Sequence, residues 1–239
     1  MTQVEENPSQ SPFNKGRSCS PLRKRGIKGD LKAKIPLNLP LTKGETRKMQ
    51  NRVKIIGAIG QNGSGKDEVL KYLRTKHGVP FLSTGDVVRE IASGEGVEPT
   101  RENLGKISDR YFREFGKGYF VRLLAHKIRH TGWKIAGISG IRSLDDVSIL
   151  KGILGQDFIL IHVYITDPHV RYSRMATRRE ERDPHSYEEL LRQDKAEEEL
   201  FSTKEAEHLA DYSISNDGTL DDLHREIDRL ILDKGLLTA

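Results

Sequence analysis

Apolar positions in this chain fall into short continuous runs separated by longer amphipathic stretches. VKIIGAIG, residues 53–60, is nearly all apolar, as a strand buried on both faces must be. WKIAGIS, 133–139, and DFILIHVYI, 157–165, have the same character. HGVPFLST, 77–84, reads as a turn and a short strand, and DYSISN, 211–216, as a last strand. Between these runs the period changes to that of a helix. Residues 67–76 place Val69, Leu70 and Leu73 on one face. A helix starts near 87–92 and GEGVEPT breaks it; 101–131 is helical in pieces divided near Gly116 and Gly118. Leu144–Leu154 suits a helix, charged helical stretches lie near 168–182 and 186–208, and Leu220–Lys234 is a last helix.

Strands alternating with helices require right-handed crossovers and a parallel sheet covered on both faces. The expected fold is therefore α/β, with three layers around a central parallel sheet. Ligands in such sheets sit at the carboxyl ends of the strands. One domain spans 51–239, with helices about 86–131 on one side of a cleft and a mobile helical lid at about 168–193.

Charge separates the first fifty residues from the rest. They hold eleven Lys/Arg against four Asp/Glu, whereas the other 189 hold 29 against 31. Residues 1–50 are expected to be a basic disordered extension or the product of a misassigned start, since Met49 directly precedes the first strand. This tail is the sole feature favouring nucleic acid. The single cysteine, Cys19, excludes a disulfide framework and a four-cysteine zinc site. No apolar run approaches the roughly 18 residues of a membrane span. A cytoplasmic protein without a membrane partner is expected; oligomeric state is left open.

Gly60-Gln61-Asn62-Gly63-Ser64-Gly65-Lys66 matches the G-x-x-x-x-G-K part of a phosphate-binding loop, with a strand before it and a helix after it. Its glycines let successive N–H groups point inward, and the helix start adds partial positive charge. Lys66 can reach between the β- and γ-phosphates of ATP. The hydroxyl that normally follows the lysine and touches Mg²⁺ is replaced by Asp67. That carboxylate is a candidate metal ligand, or simply favourable charge in a first helical turn.

Ser83-Thr84-Gly85-Asp86-Val87-Val88-Arg89-Glu90 follows the second strand. Asp86 is a candidate for holding Mg²⁺ through water, and Arg89 for gripping an acceptor phosphate; a helix cap with a surface arginine is the alternative. Arg142, after the third strand, is a second candidate clamp. After the fourth strand come Arg171, Arg174, Arg178, Arg179 and Arg182, with Arg192 beyond. Spacings of three and four let Arg171, Arg174 and Arg178 share a face. They form either a solvated charged helix or a lid that brings charge to the transferring phosphate. His126 and His130 form no metal motif, and Tyr111, Phe112, Phe115, Tyr119 and Phe120 read as helix packing.

GxxGSGK at 60–66, TGDVVRE at 84–90, GIRS at 140–143, R-x-x-R-x-x-x-R at 171–178, ERDPHSYEELLRQD at 181–194 and ADYSISNDGTL at 210–220 come in that order. Together they resemble the nucleoside monophosphate kinase-like branch of P-loop proteins, and most closely an archaeal adenylate-kinase-related, dephospho-CoA-kinase-like family. The resemblance covers about 53–232. It implies a P-loop NTPase fold, ATP with Mg²⁺, and a small phosphorylated acceptor. Arg89 and Arg142 would hold the acceptor phosphate and Thr84 would face its base. Lys66, Arg142, Arg178, Arg182 and Arg192 would serve transfer. Gly60 to Glu68 would bind the donor, with Asn216, Gly218 and Thr219 flanking its adenine. Two positions depart from the family: Ser139 stands where an acidic residue precedes GIR, and Glu68 where relatives have threonine. The competing readings are dephospho-CoA kinase-like activity, and a P-loop ATPase or nucleotide-dependent switch without a small acceptor.

Overall fold

The apolar runs form one sheet. A computed structural model describes residues 52–178, 180 and 183–237. The basic tail, Arg179 and Arg182 lie outside the described residues. Strands β1 (Lys54–Ile59), β2 (Phe81–Ser83), β3 (Ile135–Ser139), β4 (Phe158–Tyr164) and β5 (Tyr212–Ser215) are all parallel, in the order β2-β3-β1-β4-β5. The central strand β1 therefore ends between β3 and β4, where the order reverses. That is the place where a parallel sheet opens a crevice.

The helices are α1 (Lys66–His77), α2 (Thr84–Gly94), α3 (Arg101–Phe115), α4 (Tyr119–Arg129), α5 (Leu144–Leu154), α6 (Pro168–Arg178), α7 (Tyr187–Phe201), α8 (Thr203–His208) and α9 (Leu220–Lys234). On one sheet face, Ile56, Ala58, Ile161 and Val163 pack with Leu70 and Leu73 of α1 and Leu223 and Ile227 of α9. Alternation turns Ile55, Ile138 and Leu160 to the other face, where α4 packs on β3 and α5 on β4. Leu124, Ile128 and Leu150 are fully buried there. Both faces are thus covered, which is why the strands carry so few polar residues.

Two helix starts follow from side-chain caps. Ser143 opens α5 and Thr219 opens α9, each in a reciprocal box with the aspartate three residues on, Asp146 and Asp222. The expected helix over 186–208 is broken. Ser202 takes a left-handed φ of 50°, and the Glu198 carboxylate turns back to accept from Thr203 Oγ1 at 2.5 Å and Lys204 N at 2.9 Å. The carboxylate caps the new helix start, an arrangement without a glycine or proline to announce it. Likewise α6 spans Pro168–Arg178, and Glu180 lies outside it; the rest of the expected reach to 182 falls on residues that are not described. The aromatic residues of α3 and α4 pack on each other: Phe115 stacks on Tyr119 at 4.8 Å, and Phe112 meets Phe120 edge-on at 5.3 Å.

Candidate functional site

The Gly60–Lys66 loop leaves β1 and enters α1. Gly65 occupies the cap position of α1 with φ 94°, and among the described residues no side chain caps the helix. The first N–H groups of α1 therefore point to the loop's interior, where an anion would satisfy them. The loop is braced from behind. Asn216, at the end of β5, is buried and donates from Nδ2 to Ser64 O at 2.8 Å. A Cβ on Gly65 would lie 2.4 Å from that amide nitrogen, so glycine is required by both backbone and neighbour. Lys66 is 8% exposed and reaches back to Gln61 O at 3.4 Å.

A cavity of about 420 Å³ opens at the loop. Asn62, Gly63, Gly65, Lys66, Asp67 and Glu68 line it, together with Arg174, Arg178, Asn216, Gly218 and Thr219. This joins the expected phosphate loop to the expected adenine-flanking residues Asn216, Gly218 and Thr219. Leu220 and Leu223 supply apolar wall. A second, much smaller space of about 10 Å³ is lined by Gly60, Asn62, Lys66, Arg142, Glu197 and Glu207 among others. Asn62 and Lys66 belong to both.

The clustered arginines divide by environment. Arg171 is 1% exposed and structural, paired with Asp194 and donating to Asn62 O at 3.1 Å. Arg174 donates to Asn216 O at 2.6 Å and to Gly218 O, holding the 216–218 carbonyls. Arg178 reaches the large cavity but is clasped by Asp183, at 2.9 Å from Nε and 2.6 Å from Nη2. Arg192 is exposed on α7 and lines neither space. Shared helical spacing does not give these arginines a shared role.

On the acceptor side, Thr84 begins α2 and its Oγ1 donates to Gly140 O at 3.3 Å, tying β2's end to β3's. Arg89 donates to Asp86 at 2.5 Å; both are exposed and outside the two spaces. Arg142 does reach the small space, where Nη1 donates to Glu197 Oε1 at 3.4 Å. Glu197 also accepts from Asn62 Nδ2 at 3.0 Å. Sequence reading missed Glu197, Asp194 and Glu207, which sit on charged helical stretches with no distinguishing local pattern. Burial pushes the Glu207 carboxyl above its ordinary value; His162, 3.6 Å away, is pushed down by burial.

Asp67 and Ser139 meet. Ser139 Oγ donates to Asp67 Oδ1 at 3.0 Å. Glu68 instead pairs with His224 at 3.3 Å. Among the described residues no group of three or more His, Cys, Asp and Glu converges as a metal cluster, and no helix is long and apolar enough to cross a membrane.

A five-stranded parallel sheet with a glycine loop between its central strand and α1 defines a P-loop NTPase fold. The chain belongs to the AAA domain family, which it matches over residues 59–191, and to the UPF0200 proteins of archaea. It is 36% identical over 180 residues to a UPF0200 protein of Thermococcus onnurineus, covering 74% of this chain and 96% of that one. It is 35% identical over 179 residues to a UPF0200 protein of Pyrococcus abyssi, covering 74% and 95%. Its fold is similar to that of shikimate kinase from Bacteroides thetaiotaomicron, with a TM-score of 0.50 at 15% identity, over 76% of this chain and 98% of that one.

Proposed function

We propose that the protein transfers the γ-phosphate of ATP to a small phosphorylated acceptor such as a nucleoside monophosphate. The observation that carries this reading is that Arg142, from beyond β3, reaches a small space whose lining includes Asn62 and Lys66, which also line the 420 Å³ cavity. A hydrolase needs one anion site; a phosphotransferase needs two that meet at the transferring group.

In this reading the N–H groups of the loop and the start of α1 hold the donor phosphates, and Lys66 faces the transferring group. The 216–220 segment and Leu223 take the adenine. Arg142 holds the acceptor phosphate by a charge-assisted clamp, with Arg89 as the outer candidate once Asp86 releases it. Arg178, freed from Asp183 by lid movement, adds charge as the transition state forms. A magnesium ion fits this donor set, because a partly buried carboxylate, Asp67, lines the cavity directly after Lys66. Bound there, Mg²⁺ would neutralise phosphate charge.

The small space has room for about one water, and Glu197 engages the arginine assigned to the acceptor. That contact supports a second reading, an ATPase or switch in which the acceptor side stays closed. The deciding assay mixes ATP and Mg²⁺ with ribo- and deoxynucleoside monophosphates and dephospho-CoA in turn, with products resolved by chromatography. The kinase reading expects one acceptor to yield a phosphorylated product in proportion to ADP. ADP release that no acceptor alters would contradict it and leave the switch.

A further inference from the structure

P-loop enzymes commonly hold Mg²⁺ with two groups: a hydroxyl directly after the loop lysine, and a carboxylate near the end of a nearby strand. This chain breaks both expectations at once. Lys66 is followed by the carboxylate of Asp67, and β3, hydrogen-bonded beside β1, ends in the hydroxyl of Ser139. Each departure alone would remove one member of the pair. The two departures are complementary, and they touch: Ser139 Oγ donates to Asp67 Oδ1 at 3.0 Å, across 72 residues of sequence.

We propose that carboxylate and hydroxyl have traded places in this protein, so that Asp67 and Ser139 together form a functional nucleotide–metal site of reversed polarity. This deepens the phosphotransfer reading and rests on its nucleotide cavity. The pair conserves what the chemistry requires, one anionic and one neutral oxygen donor between α1 and β3. The hydrogen bond uses one carboxylate oxygen and orients the other. Asp67 is partly buried and lines the large cavity next to Lys66. Placing the anion on the helix also sets it in the first turn, where the helix dipole favours it. Asp86 has a weaker claim, since it is exposed and bound to Arg89, whereas Ser139, which likewise lines neither space, is tied to the cavity by its bond to Asp67.

The test compares the full chain with Asp67→Ser, Ser139→Asp, the double variant Asp67→Ser/Ser139→Asp, and the near-isosteric Asp67→Asn. ADP affinity is measured by calorimetry with Mn²⁺ and with chelator, and bound Mn²⁺ by electron paramagnetic resonance with and without ADP. Linkage requires the metal to tighten ADP by the factor by which ADP tightens the metal. The wild type is expected to show coupling of about tenfold or more, within the usual range for linked sites. Asp67→Ser leaves two hydroxyls and Ser139→Asp sets two carboxylates against each other; both are expected to lose most of the coupling. The double variant should recover it. Asp67→Asn keeps the side-chain shape and should lose the coupling; its metal-free ADP binding, tightened because a carboxylate no longer faces the phosphates, shows that the site is folded and covers the case of a misfolded exchange variant. A merely structural Asp67–Ser139 bond would change melting temperature and leave the coupling intact. Metal coupling retained in Asp67→Asn, or a well-folded double variant no better than the singles, overturns the proposal. So does a wild type that binds ADP without metal coupling, and that result leaves the nucleotide site standing. Absence of ADP binding under every condition removes both readings.

Discussion

Arg171 and Asp194 form a buried fork-to-fork ion pair that also holds the phosphate loop. Arg171 Nη1 donates to Asp194 Oδ1 at 2.9 Å and to Asn62 O at 3.1 Å, while Nη2 donates to Asp194 Oδ2. One guanidinium thus connects α6, α7 and the loop. With a side chain 2% exposed, against 15% for its partner, Arg171 cannot be removed without stranding a charge. Arg171→Ala is expected to destabilise the protein by about 3–5 kcal/mol, the usual loss when one partner of a buried pair is deleted. Arg171→Lys should lose part of this, because an ammonium cannot make the fork. Chemical denaturation measures both; an unchanged midpoint in Arg171→Ala would remove the strut.

The loop itself separates affinity from fold. Lys66→Ala should weaken ATP roughly ten- to hundredfold, as loss of one charge-assisted contact does, with melting temperature little changed. Gly65→Ala should damage both. It forces a side chain into φ 94° and against Asn216 Nδ2, at a cost of about 1–2 kcal/mol from the left-handed backbone alone. Calorimetry and thermal melts on the two variants check the contrast. Equal ATP affinity in folded Lys66→Ala would show that the lysine does not face the phosphates.

Glu197 should compete with the acceptor. Its contact with Arg142 is partly exposed, at 43% and 22% side-chain accessibility, so it is worth at most about 1 kcal/mol. Glu197→Ala is then expected to lower the acceptor KM by about two- to fivefold, and Arg142→Ala to raise it with little effect on ATP binding. A rise in KM for Glu197→Ala would mean that Glu197 touches the acceptor itself.

Asp228 gives the fold an acid-side dependence. It accepts from Tyr72 at 2.7 Å and Lys76 at 2.6 Å, with His77 at 3.3 Å, and so ties α9 to the end of α1. Hydrogen bonding, first from Lys76, holds its carboxyl at about 2, below the ordinary 3.8. A depressed folded value means that the carboxylate's contribution is fully present above the unfolded value. It is lost as pH falls through the folded one. The stability gap between wild type and Asp228→Asn should therefore be constant from neutral pH to about 5 and shrink between about 4 and 2. Denaturation series across that range would show it; a gap that widens on acidification contradicts the assignment.

Much of this architecture is legible in the sequence, for a local reason. Doubly covered strands must be apolar throughout, so β1, β3 and β4 stand out. Leu144–Leu154 and Leu220–Lys234 already read as helices, and glycine spacing marks the loop. The partners of charged residues are not local. Spacing alone puts Arg171, Arg174 and Arg178 on one face, yet Asp194, the 216–218 carbonyls and Asp183 give them three different tasks. Nothing beside Asp67 points to Ser139, and nothing beside Glu197 points to Arg142. Those pairings exist only once the sheet order has brought distant strand ends together.

The most direct measurement follows the label in a single turnover with γ-³²P-ATP and Mg²⁺, comparing the full chain with Arg142→Ala in the presence of each candidate acceptor. The expected result is label recovered in one acceptor, equal in amount to the ADP formed, with transfer reduced at low acceptor concentration in Arg142→Ala. Label recovered wholly as inorganic phosphate, at the same rate with and without every acceptor and in both proteins, would contradict phosphotransfer between the two spaces that meet at Lys66.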